Sequence, residues 1–198
     1  RGPVLSRFDG RNWTARGGGD GFEAAVGPGP ADLQVSGAPI RHEVTLEPSN
    51  RPWLLTLDVA ADAPELPANQ RARMTADMQW LTYRPITDLL RYRAQSHPQF
   101  RYGLTGWNNR PRRDFAADLQ LPPGFNPRTA ALAEQLRQSV GDDPQALVRA
   151  ALERLRTGGY TYTLEPGVNG QHTADEFWFD TKAGFCEHIS SAFVVLLR

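Results

Sequence analysis

Of the nine residues from Ile189 to Leu197, all but Ser190 and Ser191 are apolar. A helix written over this run is hydrophobic on nearly every side, and such a helix has to be covered rather than lie on a surface. Leaving even three of these side chains in water forgoes roughly 5–9 kcal/mol, so any fold for the chain is built around this segment. The turn signal Lys182-Ala-Gly184 leads into it and delivers Cys186, the one cysteine of the chain, to its first turn. A thiol there faces unpaired backbone N–H groups and the positive end of the helix dipole, both of which favour a thiolate. The helix end supplies about 0.3–1 kcal/mol, far less than a paired imidazole does. These residue types suit a nucleophile that takes its base from elsewhere. A small buried hydrophobe is the other role open to a lone cysteine.

The chain before this segment changes period once. A short strand around Pro3–Phe8 is followed by an Asp9-Gly10 turn, with Trp13 as an anchor. Ile40, His42, Val44 and Leu46 alternate onto one face, and Leu54–Val59, Met78–Tyr83 and Leu90–Ala94 read as further strands separated by Pro and Gly. Leu121-Pro-Pro-Gly124 is a linker. Asn126 then caps a helix with Pro127 at its first position and Leu132, Leu136 and Val140 on one stripe, ended by Gly141. Asp143 caps the next, with Pro144 first, a stripe of Val148, Leu152 and Leu155, and Gly158-Gly159 as the stop. Asp142 and Asp143 thus read as capping residues, not paired catalytic carboxylates. Tyr160–Leu164 alternates as an edge strand, Glu165–Ala174 is a polar loop, and Phe177, Trp178 and Phe179 either wall a groove or pack under the cysteine helix. The reading is an α+β chain, with an antiparallel β-rich domain over 1–120 and a helical domain over 121–198.

Composition narrows the function by exclusion. The 198 residues carry no formal net charge, so no field draws the chain to nucleic acid or to an anionic membrane. Arg110–Arg113, with Trp107 and Tyr102 near it, reads as a solvated loop, and the partial glycine-rich repeat Gly17–Gly21 as a turn. No run reaches the length of a membrane span, and Arg in place of Met at position 1 reads as a processed or excised piece. One Cys and four scattered His show no metal-ligand spacing, and no cofactor motif is present. His42 suits a satisfied core position and His97 an exposed turn. His172 lies in a loop that could approach Cys186. His188 falls about 200° around a helix from it, and neither is assigned as a base.

Phe179-Asp-Thr-Lys-Ala-Gly-Phe-Cys186 and the following Glu187–Phe193 resemble the cysteine motif of the bacterial transglutaminase-like superfamily. The branch resembled is the one in which the domain is the extracytoplasmic part of a multi-pass membrane protein, and the opening Arg1–Trp13 is similar to that branch too. The resemblance implies that residues from about 126 onward are the first half of a transglutaminase-like, papain-like core. It further implies acyl transfer from glutamine or peptide amides through a thioester on Cys186, with a protein or peptide as acyl donor and an amine as acceptor. The Cys186 backbone N–H would be an oxyanion donor, with the Trp178 indole as a candidate second donor. The family's His and Asp follow the Cys by some tens of residues, and only twelve follow it here. The expectation is therefore a fragment inactive by itself, whose cysteine helix is covered by a continuation or by another copy. The resemblance places the parent protein in the periplasm, anchored to the inner membrane. A non-catalytic domain that binds peptide or cell-wall material in the same groove, or a protease or amidase on the same fold, is the alternative.

Overall fold

A computed structural model describes residues 2–15, 33–75, 77–102 and 118–198. Gly17–Gly21, Trp107 and Arg110–Arg113 lie outside the described residues. The chain forms two compact units, Arg1–Arg7 with Thr14–Ala117 and Phe8–Trp13 with Asp118–Arg198. The second unit takes in an N-terminal segment that a division at residue 120 leaves in the first. Antiparallel sheets and four helices among the described residues make the chain α+β.

In the first unit, strands β4 (Ile40–Leu46) and β8 (Leu90–Ser96) pair antiparallel along their whole length, from Ile40 opposite Ser96 to Leu46 opposite Leu90. The alternation read from sequence sets the faces. Leu90, Tyr92 and Ala94 are buried on β8, and His42, Val44 and Leu46 are half-buried on β4. Shorter strands complete this unit. β5 (Trp53–Leu54), β7 (Trp80–Thr82) and β6 (Ala72–Met74) form one sheet in that order, and β3 (Gln34–Ser36) pairs with β9 (Gln99–Arg101). Leu54, Ala60, Met74, Trp80, Ile86, Leu90 and Tyr92 make a common core, with the Trp80 indole N–H donating to the Ala60 carbonyl at 2.9 Å.

One expected strand is cut short. Leu54–Val59 was expected to be extended and paired, yet β5 ends at Leu54, and Leu55 and Leu57 are about half exposed. The carbonyls of Leu55 and Leu57 are taken by side chains of β8, and backbone pairing returns only at Val59, which exchanges both its hydrogen bonds with His97. The Tyr92 hydroxyl donates to the Leu55 carbonyl at 2.6 Å and the Ser96 hydroxyl to that of Leu57 at 2.7 Å. Two hydroxyls four residues apart on one strand satisfy acceptors that a neighbouring strand would otherwise meet.

In the second unit, α1 (Pro127–Val140), α2 (Pro144–Thr157), α3 (Thr173–Asp175, continuing through a π-helical turn, Glu176–Thr181) and α4 (Cys186–Leu197) enclose one core. β10 (Thr161–Tyr162) pairs with β11 (Ala183–Gly184), in parallel. Asp143 caps α2 as expected, accepting from the Gln145 N–H at 3.0 Å. The stripe expected on α2 is only partly covered. Ala151 is its fully buried residue and Leu155 reaches the core, whereas Val148 and Leu152 stay exposed. A small residue at the contact lets α2 approach closely and turns its larger neighbours outward.

Burial pushes the Tyr92 hydroxyl up to about 12. An unfolded tyrosine ionises near 10, so Tyr92 contributes stability that is whole below pH 10 and is lost as pH rises from 10 to 12. Denaturant melts from pH 7 to 11.5 should therefore show a loss of stability in this window. Tyr92→Phe should flatten that loss while lowering stability at pH 7 by about 0.5–1.5 kcal/mol. Identical alkaline curves for the two proteins would contradict this.

Candidate active site

Cys186 is the first residue of α4, and its side chain is exposed. Phe185, extended at the N-cap position, offers no side-chain cap, so the amides at the start of the helix remain directed outward beside the thiol. The turn that brings the chain here is held from below. The Thr161 N–H donates to the Lys182 carbonyl at 2.8 Å and the Thr163 N–H to that of Gly184 at 2.9 Å. Lys182 ends the π-helical turn in the left-handed region, and its ammonium donates to the Gly158 carbonyl at the end of α2. A side chain at Gly184 would place its Cβ 2.6 Å from that of His188, so only glycine lets β11 lie against the first turn of α4.

The aromatic run beneath the helix packs; it does not wall a groove. Trp178 is fully buried, and its indole N–H donates to the Ala192 carbonyl at 3.0 Å. That donor is committed inside the core, which removes Trp178 from the substrate groove and from the oxyanion role. Phe177 is also buried, stacked on Tyr160 at 5.2 Å, while the Tyr160 hydroxyl donates to the Trp178 carbonyl at 3.0 Å. Desolvation raises the pKa of Tyr160 above its ordinary value. Phe179 is half-buried, with the Arg128 guanidinium 4.4 Å from its ring centre.

The start of the π-helical turn is fixed by an exchange of caps. Asn126 stands at the N-cap of α1 in the left-handed region and does not cap that helix. Its Oδ1 instead accepts from the N–H of Ala174 and Asp175, at the start of α3. In return Asp175, 3% exposed, accepts from the N–H groups of Arg128 and Thr129 and from the Thr129 hydroxyl. The expectation that Asn126 caps its own helix is thus corrected: the cap comes from 49 residues further along the chain. A buried carboxylate with three donors at a helix N-terminus is well compensated. Asp175 went unread because nothing local marks it as a cap; it lies inside a helix of its own.

Neither histidine near the motif is placed as a base. His172 Nδ1 accepts from the Asn126 N–H at 3.1 Å, and the ring meets Phe125 edge-on. His188 packs against Gly184 and edge-on to Phe185, with ring centres 4.5 Å apart.

A hairpin tip borders the helix. β1 (Arg7–Phe8) and β2 (Trp13–Thr14) are joined by a turn in which the N–H groups of Asn12 and Arg11 hold the Asp9 carboxyl below its usual range. Gly10, at φ +107°, leaves the space that the Phe125 ring occupies. Phe8 stacks on Trp13, whose indole N–H donates to the Ser191 hydroxyl of α4 at 2.8 Å.

A family model described as the TgpA N-terminal domain matches residues 1–103. The chain belongs to that family. Over 196 residues it is 37% identical to a Pseudomonas aeruginosa protein named protein-glutamine gamma-glutamyltransferase; the match covers 98% of this chain and 27% of that protein. It is also 37% identical over 83 residues to the uncharacterized protein YebA of Bacillus subtilis, 40% of this chain and 11% of the relative. The crystal structure of the periplasmic domain of TgpA from Pseudomonas aeruginosa matches with a TM-score of 0.80 at 33% identity, over 98% of this chain and 62% of that one. The same domain bound to ethylmercury matches with a TM-score of 0.78 at 34% identity, over 98% and 63%. The chain thus spans about a quarter of the curated TgpA-family enzyme and under two thirds of the solved domain.

Asp175→Ala should cost the second unit about 2–4 kcal/mol, because it leaves buried donors at the start of α1 unmet. Asn126→Gly keeps the left-handed backbone and loses only the reciprocal acceptor, so its cost should be smaller, about 1–2 kcal/mol. Chemical denaturation of the two variants ranks them. Equal stability of Asp175→Ala and the parent chain would contradict the exchange of caps.

Proposed function

We propose that this chain is part of a periplasmic, membrane-anchored transglutaminase-type acyltransferase in which Cys186 is the nucleophile. The exposed thiol at the uncapped start of α4, held by β11 and the buried aromatic cluster, carries this reading. The names of the Pseudomonas aeruginosa relative and of its solved periplasmic domain support the reaction class and the compartment.

In this reading the thiolate attacks the γ-carboxamide carbon of a glutamine side chain. The Cys186 backbone N–H faces the oxygen on which charge develops. The C–N bond breaks, ammonia leaves with a proton delivered by the base, and a thioester forms on Sγ. A primary amine then attacks the thioester carbon, loses its proton to the same base, and expels the thiolate as the C–S bond breaks. The base is an imidazole of the longer protein. His172 is engaged by Asn126 and His188 is packed beneath the turn.

The face of α4 that stays open fits the same longer protein. Ala192, Val195 and Leu196 are buried, Ile189, Phe193 and Leu197 are half-buried, and Val194 is 38% exposed. We assign the cover of that face to the part of the solved TgpA domain that this chain does not span.

In the complete protein, Cys186→Ala should lower incorporation of a fluorescent primary amine into a glutamine-bearing protein by about 10³-fold or more. The thermal midpoint should move little, since the thiol is exposed. Retained incorporation by a folded variant would overturn the assignment.

A further inference from the structure

In the first unit, the turn over 67–70 and the loop after β7 enclose an open pocket of about 440 Å³. Its charged and aromatic lining is Arg71, Tyr83, Arg84 and Asp88, and Asn69 and Gln70 bring side-chain amides to it. The walls are fixed by the backbone. The last pair of β6 and β7 is Ala72 opposite Thr82, so Arg71 and Tyr83 leave the sheet at the same end. The Thr82 hydroxyl donates to the Arg84 carbonyl at 2.6 Å, and the Ile86 N–H donates to the Arg51 carbonyl at 2.9 Å. The Gln70 N–H closes the opposite turn on the Pro67 carbonyl at 2.9 Å. Onto this frame the pocket turns groups that the fold does not use. Tyr83 is 67% exposed, and among the described residues no ring or cation lies against it. Neither the Arg71 nor the Arg84 guanidinium has a hydrogen-bond or ion-pair partner among them. The Asp88 carboxylate accepts from the neighbouring Thr87 hydroxyl, which leaves it further lone pairs.

We propose that this pocket binds an acidic saccharide, a chain of six-membered sugar rings that carries carboxylates. A sugar ring has a flat C–H face to lie on the Tyr83 ring and a rim of hydroxyls that donate to Asp88 and accept from the Asn69 amide. A carboxylate on the chain pairs with the free guanidiniums, whose planar fork matches it. Other ligand classes use less of the site. A phosphate chain is held by many cations, whereas two arginines and one aspartate leave this lining only one net positive charge. Acidic peptide side chains pair with the arginines but have no flat C–H face for Tyr83. An apolar side chain finds a lining that is mostly polar. Because the walls are already fixed, little ordering opposes binding. The pocket falls wholly within residues 1–103, the stretch matched by the TgpA N-terminal domain model, and its role does not depend on Cys186 being a nucleophile.

Calorimetric titration of the complete protein with three probes tests this: a hyaluronan tetrasaccharide, in which glucuronate alternates with N-acetylglucosamine, the neutral chitotetraose, and tetraglutamate. The hyaluronan fragment should bind saturably. Chitotetraose, which keeps the rings and lacks the carboxylates, should bind about tenfold more weakly or worse, and so should tetraglutamate, which keeps the carboxylates and lacks the rings. Tyr83→Ala should weaken the acidic tetrasaccharide about tenfold, while Tyr83→Trp, which keeps an aromatic face, should retain it. The double variant Arg71→Gln, Arg84→Gln should bind the acidic and the neutral tetrasaccharide alike. All three positions are exposed, so the thermal midpoint should stay in place and report that each variant is folded. The proposal falls if the hyaluronan fragment gives no saturable heat, or if chitotetraose matches it. Tetraglutamate binding as tightly would make the site one for acidic peptide and overturn it, and binding that ignores both Tyr83→Ala and the arginine variant would place the saccharide elsewhere. Amine incorporation through Cys186 is a separate readout, so its loss or retention leaves the outcome of these titrations unchanged.

Discussion

The second unit depends on the exchange between Asn126 and Asp175. Each residue stands at the start of one helix and satisfies the amides of the other. Both acceptors are 3% exposed, and of the residues that donate to them Thr129, Ala174 and Asp175 are buried as well. In such a setting an unmet buried donor costs about 1–3 kcal/mol. The exchange fixes where α1 begins and where the helix of Thr173–Thr181 begins. Three residues beyond Asp175, the Trp178 indole reaches the Ala192 carbonyl in α4. A helix start on one side of the core is thus joined, through two hydrogen-bonded side chains, to the helix that presents Cys186.

The same helix is held at its beginning by a second set of contacts. The Gly184 backbone pairs with β10 on one side and lies under the His188 Cβ on the other. Tyr160, in the residue before β10, closes the loop by donating to the Trp178 carbonyl. A nucleophile has to be held to a fraction of an ångström to be useful, and rigid elements do this better than loops. What this arrangement leaves exposed is the thiol and the amides beside it. The apolar flank of α4 is only partly covered, and the polar hairpin tip reaches the opposite flank through Trp13.

Much of this was legible from residue types alone. The alternation at Ile40–Leu46 appears as a full-length strand, Asp143 caps α2, the glycines at 141 and 158 end their helices, and Asp9-Gly10 makes the turn. These features are local: each depends on side chains within a few positions of the backbone they control. The family resemblance was legible in the same way, since the motif around Cys186 is contiguous. The misreadings share a different cause. The polar edge of Trp178 makes it a candidate oxyanion donor in sequence, and the partner that takes that edge, the Ala192 carbonyl, lies on another helix. Val148 and Leu152 were read as buried because they repeat on a stripe, whereas Ala151 makes the contact.

By itself, then, the order of residues determined the period of each segment, the ends of the helices whose caps are local, and the delivery of the single cysteine to the first turn of an apolar helix. Only the tertiary structure decided that Asp175 caps a helix that begins 48 residues before it, and that the aromatic run packs beneath α4. It also decided that Asn69 and Arg84, from two separate loops, border one pocket with Tyr83. The reason is physical. A local signal is satisfied by the backbone next to it, whereas a buried carboxylate or indole has to find its partner across the core, and residue order does not encode that distance directly.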